Sequence, residues 1–477
     1  MSHQALAQRM RRPRVLDPHT PAIRWRSEVD AHRSLTAHEV LSPSDDVMLN
    51  RLQQAAFNYF LKASSPRNGL IADTTRDDSP SSIAVVGFAL SAFPVAVEHG
   101  WIERSDAVQR TLDVLRFFWN SDQSGRADAT GYRGYYFHFL DMSSGARKWR
   151  SELSLIDTAL LIAGFLTAAA FFNARTKAEL ELRELADALY RRVDWRWAQR
   201  GGSTVAHGWK PECGFLSYGW EGYSEALLLY VLGMGSPTHP LTDKSFEAWT
   251  TTYQWENLYG HDHLYAGPLF IHQFSHAWID FRGIRDRFMR EKGCDYFENS
   301  RRATYVQREY AIRNPRSFGG YGADCWGISA GDGPSVEPRL VAGRRQAFYG
   351  YAARGVPHGP DDGTLSGAAM LASLVFAPEI TLSAVRKLYA RTQRGEGESV
   401  RASGFNSTVG DFGTHGQVSD GESNSDGWLS EGEFGLDQGM IVLMIENFRS
   451  GLLWRLGRSC PYIRAGLGRA GFTGGWL

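Results

Sequence analysis

Carboxylates set among aromatic rings are the residues of this chain best suited to chemistry. In FLSYGWEGYSEALLLY, residues 215–230, the rings of Phe215, Tyr218, Trp220 and Tyr223 flank Glu221 and Glu225. Surrounding rings strip a carboxyl group of hydration, raise its pKa and keep it protonated near neutrality, as a general acid requires. The helix that follows opposes this, because its N-terminus favours the ionised form. Desolvation must win for Glu225 to hold a proton; otherwise it is a structural first-turn acid.

A second cluster, GYYFHFLDMSSGARKWRSELSLIDTALL, spans residues 134–161. His138 and Asp141 precede a turn at Ser143–Gly145, and Glu152 and Asp157 follow at the start of a helix. Glu152 reads as a first-turn acid favoured by the helix dipole. Asp157 lies in an apolar run, where a buried acid needs a partner or a task. In EGEFGLDQGMIVLMIENFRSGLLW, residues 431–454, Asp437 is placed to cap an apolar helix that later carries Glu446, Asn447 and Arg449. Such a cap is structural in many proteins, but the long acidic, glycine-rich loop before it leaves a functional role open.

The fourth cluster, GPLFIHQFSHAWIDFRGIRDRF, runs from 267 to 288 and repeats His272, His276 and Asp280 every four residues, on one face of a helix. Paired histidines at this spacing occur on zinc-protease helices, but Gln273 stands where HExxH needs its glutamate. The other reading is a sugar-binding face, with Arg282 and Asp286 beside it. GLGRAG at 466–471 matches a dinucleotide-binding fingerprint by letter only, since no room follows for a βαβ unit.

Helices must position these groups. Apolar residues recur at three- and four-residue spacing in Val108, Leu112, Leu115 and Phe118, and again in Ile156, Leu160, Ala163 and Thr167. Similar stretches lie near 48–62, 82–98, 178–191, 223–233, 269–290, 297–312, 366–376, 382–391 and 438–450, about eleven or twelve helices in all. Between some of them run long loops rich in Gly, Trp, Tyr, His and Asp, notably 120–151, 192–221, 234–268, 314–364 and 392–437. Loops of this length in a compact domain usually carry function. The pattern is all-α and suits a ring of paired helices, an (α/α)6 toroid with its loops over one end. No 34- or 40-residue repeat supports a solenoid.

The polar, arginine-rich stretch 1–45 reads as a disordered arm, and 46–477 as one catalytic domain. Charge is balanced, 52 basic against 52 acidic residues, which argues against nucleic acid as a partner. No run approaches the roughly 18 apolar residues of a membrane span. The start lacks the apolar stretch of a signal peptide. The four cysteines, Cys213, Cys294, Cys325 and Cys460, suit neither a zinc site nor a dense disulfide framework. The 15 Trp, 19 Tyr and 26 Phe fill the core first, with a minority left to stack on sugar faces.

The segments SIAVVGFAL, YFHFLDMSSG, ELSLIDTALLIAG, GYSEALLLYVLGMGSPTHP, GPLFIHQFSHAWIDFRGIRD, DYFENSRRAT, CWGISAGDGP, DDGT and GLDQGMIVLMIENFRSGLLW follow one another from about residue 48 to the end. Together they resemble the glycoamylase-like domain of bacterial endo-β-1,2-glucanases, glycoside hydrolase family 144. The resemblance implies an (α/α)6 barrel and endo-hydrolysis of β-1,2-glucan with inversion, without metal or organic cofactor. It implies that Glu225 is the general acid and that Asp157 and Asp437 are the other essential carboxylates, with Asp437 the preferred base. The sugar-binding wall would then draw on His138, Glu152, Trp220, Tyr223, His272, Gln273, Trp278, Asp280, Arg282, Asn299, Arg301 and Trp326. The partner would be an oligo- or polysaccharide, met in the periplasm or outside the cell, although the start of this chain leaves a cytoplasmic setting open. Rival readings are an exo-acting, sophorose-releasing hydrolase, a β-1,2-glucan transglycosylase and a non-catalytic glucan-binding protein.

Overall fold

The computed structural model describes residues 41–334, 336–341, 344–393, 409–410 and 428–477. The expected arm lies outside the described residues as far as residue 40, as does much of the 392–437 connection. The first helix, α1 (Pro43–Lys62), begins ahead of its apolar periodicity because its cap is strong. The Ser42 hydroxyl accepts from Asp45 N at 3.2 Å, and the Asp45 carboxylate accepts from Ser42 N at 3.1 Å. Pro43 at the first helical position gives up no hydrogen bond.

The remaining helices are α2 (Ile83–Glu98), α3 (Arg104–Asn120), α4 (Leu155–Phe171), α5 (Lys177–Arg192), α6 (Leu227–Gly235), α7 (Ser245–Thr250), α8 (Arg287–Glu291), α9 (Tyr296–Arg313), α10 (Gly367–Ala372), α11 (Pro378–Gln393), α12 (Gly435–Arg449), α13 (Leu452–Ser459) and α14 (Pro461–Arg469). They build an (α/α)6 barrel. Helices α2, α4, α6, α10 and α12 are buried on nearly every face and form the inner ring. Two 3-10 turns, Leu269–His272 and Phe274–Ala277, take the remaining inner place. Helices α1, α3, α5, α9 and α11 have one apolar and one polar face and lie outside.

Glycines let the inner ring close tightly. A Cβ on Gly87 of α2 would lie 2.4 Å from the carbonyl oxygen of Leu160 on α4, and one on Gly164 would lie 2.3 Å from that of Gly87. The first glycine of the GLGRAG stretch, which stands in α14, serves the same end. A Cβ on Gly466 would come within 1.9 Å of the Val231 carbonyl, so α14 packs against α6.

The helix expected over 269–290 is broken. Asp280 accepts from the backbone N–H of Arg282 at 3.1 Å, and Gly283 adopts φ +74°; both turn the chain out of helical geometry. Upstream, Gln273 leaves helical geometry with φ −121°, so His272 and His276 sit on separate 3-10 turns rather than on one helical face.

Short strands frame the open end. The segments β1 (Ser81–Ser82) and β4 (Phe139–Leu140) pair with each other. A five-stranded antiparallel sheet runs in the order β2 (Gly131–Tyr132), β3 (Tyr135–Phe137), β5 (Leu153–Ser154), β6 (Gly208–Lys210) and β7 (Gly214–Phe215). It fixes the approach to α4 and α6. Among the described residues, no helix is long and apolar enough to cross a membrane.

Candidate active site

The N-terminal ends of the inner elements open into one cavity of about 620 Å³. Asp157 and Leu160 enter it from α4, Gln273 from between the two 3-10 turns and Phe274 from the second, Ala369 from α10, and Asp437 and Met440 from α12. Glu225 enters from the residue before the N-cap of α6. Three carboxylates scattered over 280 positions of sequence thus face one space, because each stands where an inner element begins.

Glu225 is held by its main chain: its carbonyl accepts from Ser275 Oγ at 3.1 Å, and the same hydroxyl accepts from Leu228 N at 3.0 Å. Burial pushes its carboxyl up to about 7, its own backbone N–H works the other way, and the charge of Asp157 adds to the rise. Desolvation has prevailed over the helix terminus. Trp220 forms part of the wall and lies against the His207 ring at 4.2 Å.

Across the cavity, His138 joins two acids. Its Nδ1 lies 2.9 Å from Glu152 Oε1 and its Nε2 lies 3.5 Å from Asp157 Oδ2. Burial opposes the imidazolium, but Asp157, Glu152 and Asp73 together lift His138 to about 9. Glu152 is lowered: burial would raise it, and the bond to His138 and that ring's charge outweigh the burial. Asp157 also accepts from the Ser154 hydroxyl at 2.5 Å, while Ser154 Oγ caps α4 by accepting from Asp157 N at 3.2 Å. Asp437 occupies the first turn of α12, inside the helix; the N-cap position falls to Phe434, which makes no side-chain cap. The cap expected from the sequence is therefore displaced by three residues.

Other residues named from the sequence stand outside the lining of this cavity. Tyr223 packs on Tyr253, His272 and Tyr296. His272 bonds through Nε2 to the Ala266 carbonyl at 3.1 Å, His276 to the Ser300 hydroxyl at 3.0 Å, and burial lowers each to about 3. Trp278 donates from Nε1 to Ser91 Oγ at 2.9 Å in the barrel interior. Asp280 is fully buried and paired with Arg282 and Arg458, and Arg282 lies 4.3 Å from the Trp454 ring centre. Asn299 spends both ends of its amide on the Leu264 backbone. Arg301 faces Glu298, Tyr305 and Glu379, and Trp326 lies beside Cys325 and Met370 in a separate small hollow. Each is occupied by a bond or a contact within the fold.

Sequence reasoning passed over Asp73, Tyr351, His207, Phe139, Phe270 and Phe434, all of which line the cavity. Burial pushes Asp73 up to about 6, against the pull of His138 and with the push of Asp157. Its main chain is fixed, since the Asp73 carbonyl accepts from Gly435 N at 2.8 Å. Tyr351 lines the cavity while its side chain stays 68% exposed. The loop carrying it is tied by Arg354, whose fully buried guanidinium binds Asp362 at 2.7 and 2.9 Å and the carbonyls of Tyr349, Gly350 and Gly331. The one sequence signal for these residues is the aromatic and acidic richness of the long loops.

Residues 217–461 match the Glycoamylase family model, described as "Putative glucoamylase". An exo β-1,2-glucooligosaccharide sophorohydrolase (non-reducing end) from Parabacteroides distasonis is 26% identical over 462 residues, covering 89% of this chain and 58% of that protein. The chain thus spans 58% of the length of the curated relative it matches. Among solved structures, an endo-β-1,2-glucanase from Chitinophaga pinensis, in complex with sophorotriose and glucose, is 27% identical with a TM-score of 0.77, covering 91% of this chain and all of that one. A protein from Bacteroides uniformis ATCC 8492 that carries the same glucoamylase description is 27% identical with a TM-score of 0.78, covering 92% of this chain and 100% of that one.

Proposed function

The chain belongs to the Glycoamylase family, and from that premise we propose that it is a glycoside hydrolase acting on β-1,2-glucan. The observation that carries the reading is Glu225: a carboxyl group pushed up to about 7 by burial, in a cavity it shares with Asp157 and Asp437. Support for the linkage comes from the Parabacteroides sophorohydrolase and the Chitinophaga endo-β-1,2-glucanase to which the chain is similar.

Cleavage of a glycosidic bond builds positive charge on the sugar ring and negative charge on the leaving oxygen. Protonated Glu225 donates to that oxygen, and the bond to the anomeric carbon breaks as the proton arrives. Asp437, in the first turn of α12 where the helix dipole favours negative charge, takes the proton of the attacking water directly or through a sugar hydroxyl. Water arriving opposite the leaving group inverts the anomeric carbon. Asp157, held by Ser154 and His138, stabilises charge on the reacting sugar. Trp220 supplies a wall for the neighbouring glucose.

We propose endo action, in line with the Chitinophaga relative. The sophorose-releasing alternative is favoured by the name of the curated relative. A screen against β-1,2-, β-1,3-, β-1,4- and α-linked glucans decides the linkage. Product lengths over time separate endo from exo action, and NMR of the first-formed anomer reads the stereochemistry. Release of sophorose alone from the earliest time points would replace the endo reading, and hydrolysis of another linkage alone would sink the β-1,2 assignment.

A further inference from the structure

Trp149 is 64% exposed, an unusual state for the largest apolar side chain, and its backbone is strained. Trp149 and Arg150 adopt φ +55° and +51°, successive left-handed residues closed by a 3.0 Å bond from Ser151 N to the Lys148 carbonyl. A turn of this kind normally takes asparagine and glycine, because other residues crowd their own Cβ there. This one is enforced from below. The Arg147 side chain, 1% exposed, donates to the carbonyls of Arg150 at 2.8 Å and Ser151 at 2.5 Å and pairs with Glu212 at 2.8 Å. Such strain persists where surroundings dictate it, and it collects at functional sites.

The indole continues the wall of the active-site cavity. Its ring centre lies 5.1 Å from that of Phe139, which lines the cavity and stacks on His138 at 4.0 Å with a 13° tilt. His138, Phe139 and Trp149 therefore form one aromatic path from the acids to the outer surface. We propose that Trp149 is an outer sugar-binding platform, on which a glucose unit of a β-1,2-glucan chain stacks after leaving the cavity. This rests on the hydrolase reading above and adds a binding position to it.

The test compares wild type, Trp149→Ala and Trp149→Phe on long β-1,2-glucan and on the shortest sophoro-oligosaccharide that the enzyme cleaves. For Trp149→Ala, KM on the polymer should rise roughly five- to tenfold while kcat stays within about twofold. The short substrate should be handled as by wild type, and Trp149→Phe should recover most of the loss. Unchanged polymer kinetics in Trp149→Ala, or an equal loss on both substrates, overturns the platform and leaves the hydrolase standing. A wild-type chain that leaves β-1,2-glucan intact overturns both.

Discussion

Replacing Glu225 by glutamine removes the ionisable proton and keeps the shape. The structure assigns two separable consequences. The first is kinetic: an amide cannot hand over a proton, so kcat should fall at least ~100-fold, the usual range for a general acid. The second is thermodynamic and runs the other way. The Glu225 carboxyl rises from 4.5 to about 7 on folding, so the folded state holds this proton more tightly than the unfolded chain. Below pH 4.5 both states are protonated and nothing is lost; as pH climbs through about 7 the folded protein must bury a charge that the unfolded chain carries in water.

That rise corresponds to roughly 3 kcal/mol of stability lost above neutrality. At ~2.1 cal/mol/K per residue, unfolding entropy for a chain of this size is roughly 1 kcal/mol/K, so the loss is worth about 3 °C. Glu225→Gln should therefore melt about 3 °C higher than wild type at pH 8 and close to it at pH 4.5. Melting curves of both proteins across that range read the difference, in which titrating groups remote from the cavity cancel. A variant that retains turnover, or whose melting advantage does not grow with pH, refutes the claim that burial keeps this carboxyl protonated.

Asp437→Asn should also lower kcat at least ~100-fold. As a first-turn acid and not a cap, Asp437 should cost only about 0.3–1 kcal/mol in stability when neutralised, so a melting curve within a degree or so of wild type separates chemistry from folding. Glu152→Gln should bring His138 down from about 9, as NMR titration of the ring would show; an unmoved His138 would deny the pairing. The stability that this imidazolium contributes is full below pH 6.5 and lost as pH rises through about 9 in wild type, and the loss should begin at lower pH in the variant. Trp149→Asn should melt no lower than wild type, because asparagine tolerates the left-handed turn and relieves about 1 kcal/mol of strain. Turnover on β-1,2-glucan should survive saturating EDTA, since carboxylates alone supply the proposed chemistry; abolished turnover that returns with added metal would contradict it.

The inner helices were readable because they are apolar on every face, and the acids at their beginnings stood out for the same reason. An aspartate or glutamate beside SLI, ALLLY or MIVLM has no innocuous solvent face to occupy. What stayed hidden is of two kinds. Asp73 and Tyr351 come from loops, where no periodicity says which way a side chain points; only the closed ring brings them to Asp157 and Asp437. The stretch 269–290 misled in the opposite sense, since its spacing is helical while Asp280 captures its own backbone at Arg282. Asp280 and Asn299 look from sequence like groups seeking a ligand, yet the fold itself supplies their partners. A buried polar side chain announces that it needs a partner and is silent about which one.

The barrel poses an electrostatic problem that its geometry resolves. Acids gathered at the starts of inner helices all meet partial positive charge, which favours their ionised forms. Asp157 and Asp437 stand within first turns, which suits the charged roles proposed for them. The general acid proposed at Glu225 needs the reverse. Glu225 lies before the N-cap of α6, outside the helical turns, and the hydroxyl of Ser275 takes both its carbonyl and the N–H of Leu228. Removed from the helix by that short distance and deprived of water by the wall around it, its carboxyl is pushed up to about 7 while that of Glu152, bonded to His138 in the same cavity, is lowered. The division of labour proposed for these like residues thus rests on where each stands relative to a helix end and a cation, and moving Glu225 by a single helical turn would bring it into a first turn, where the dipole favours the ionised form.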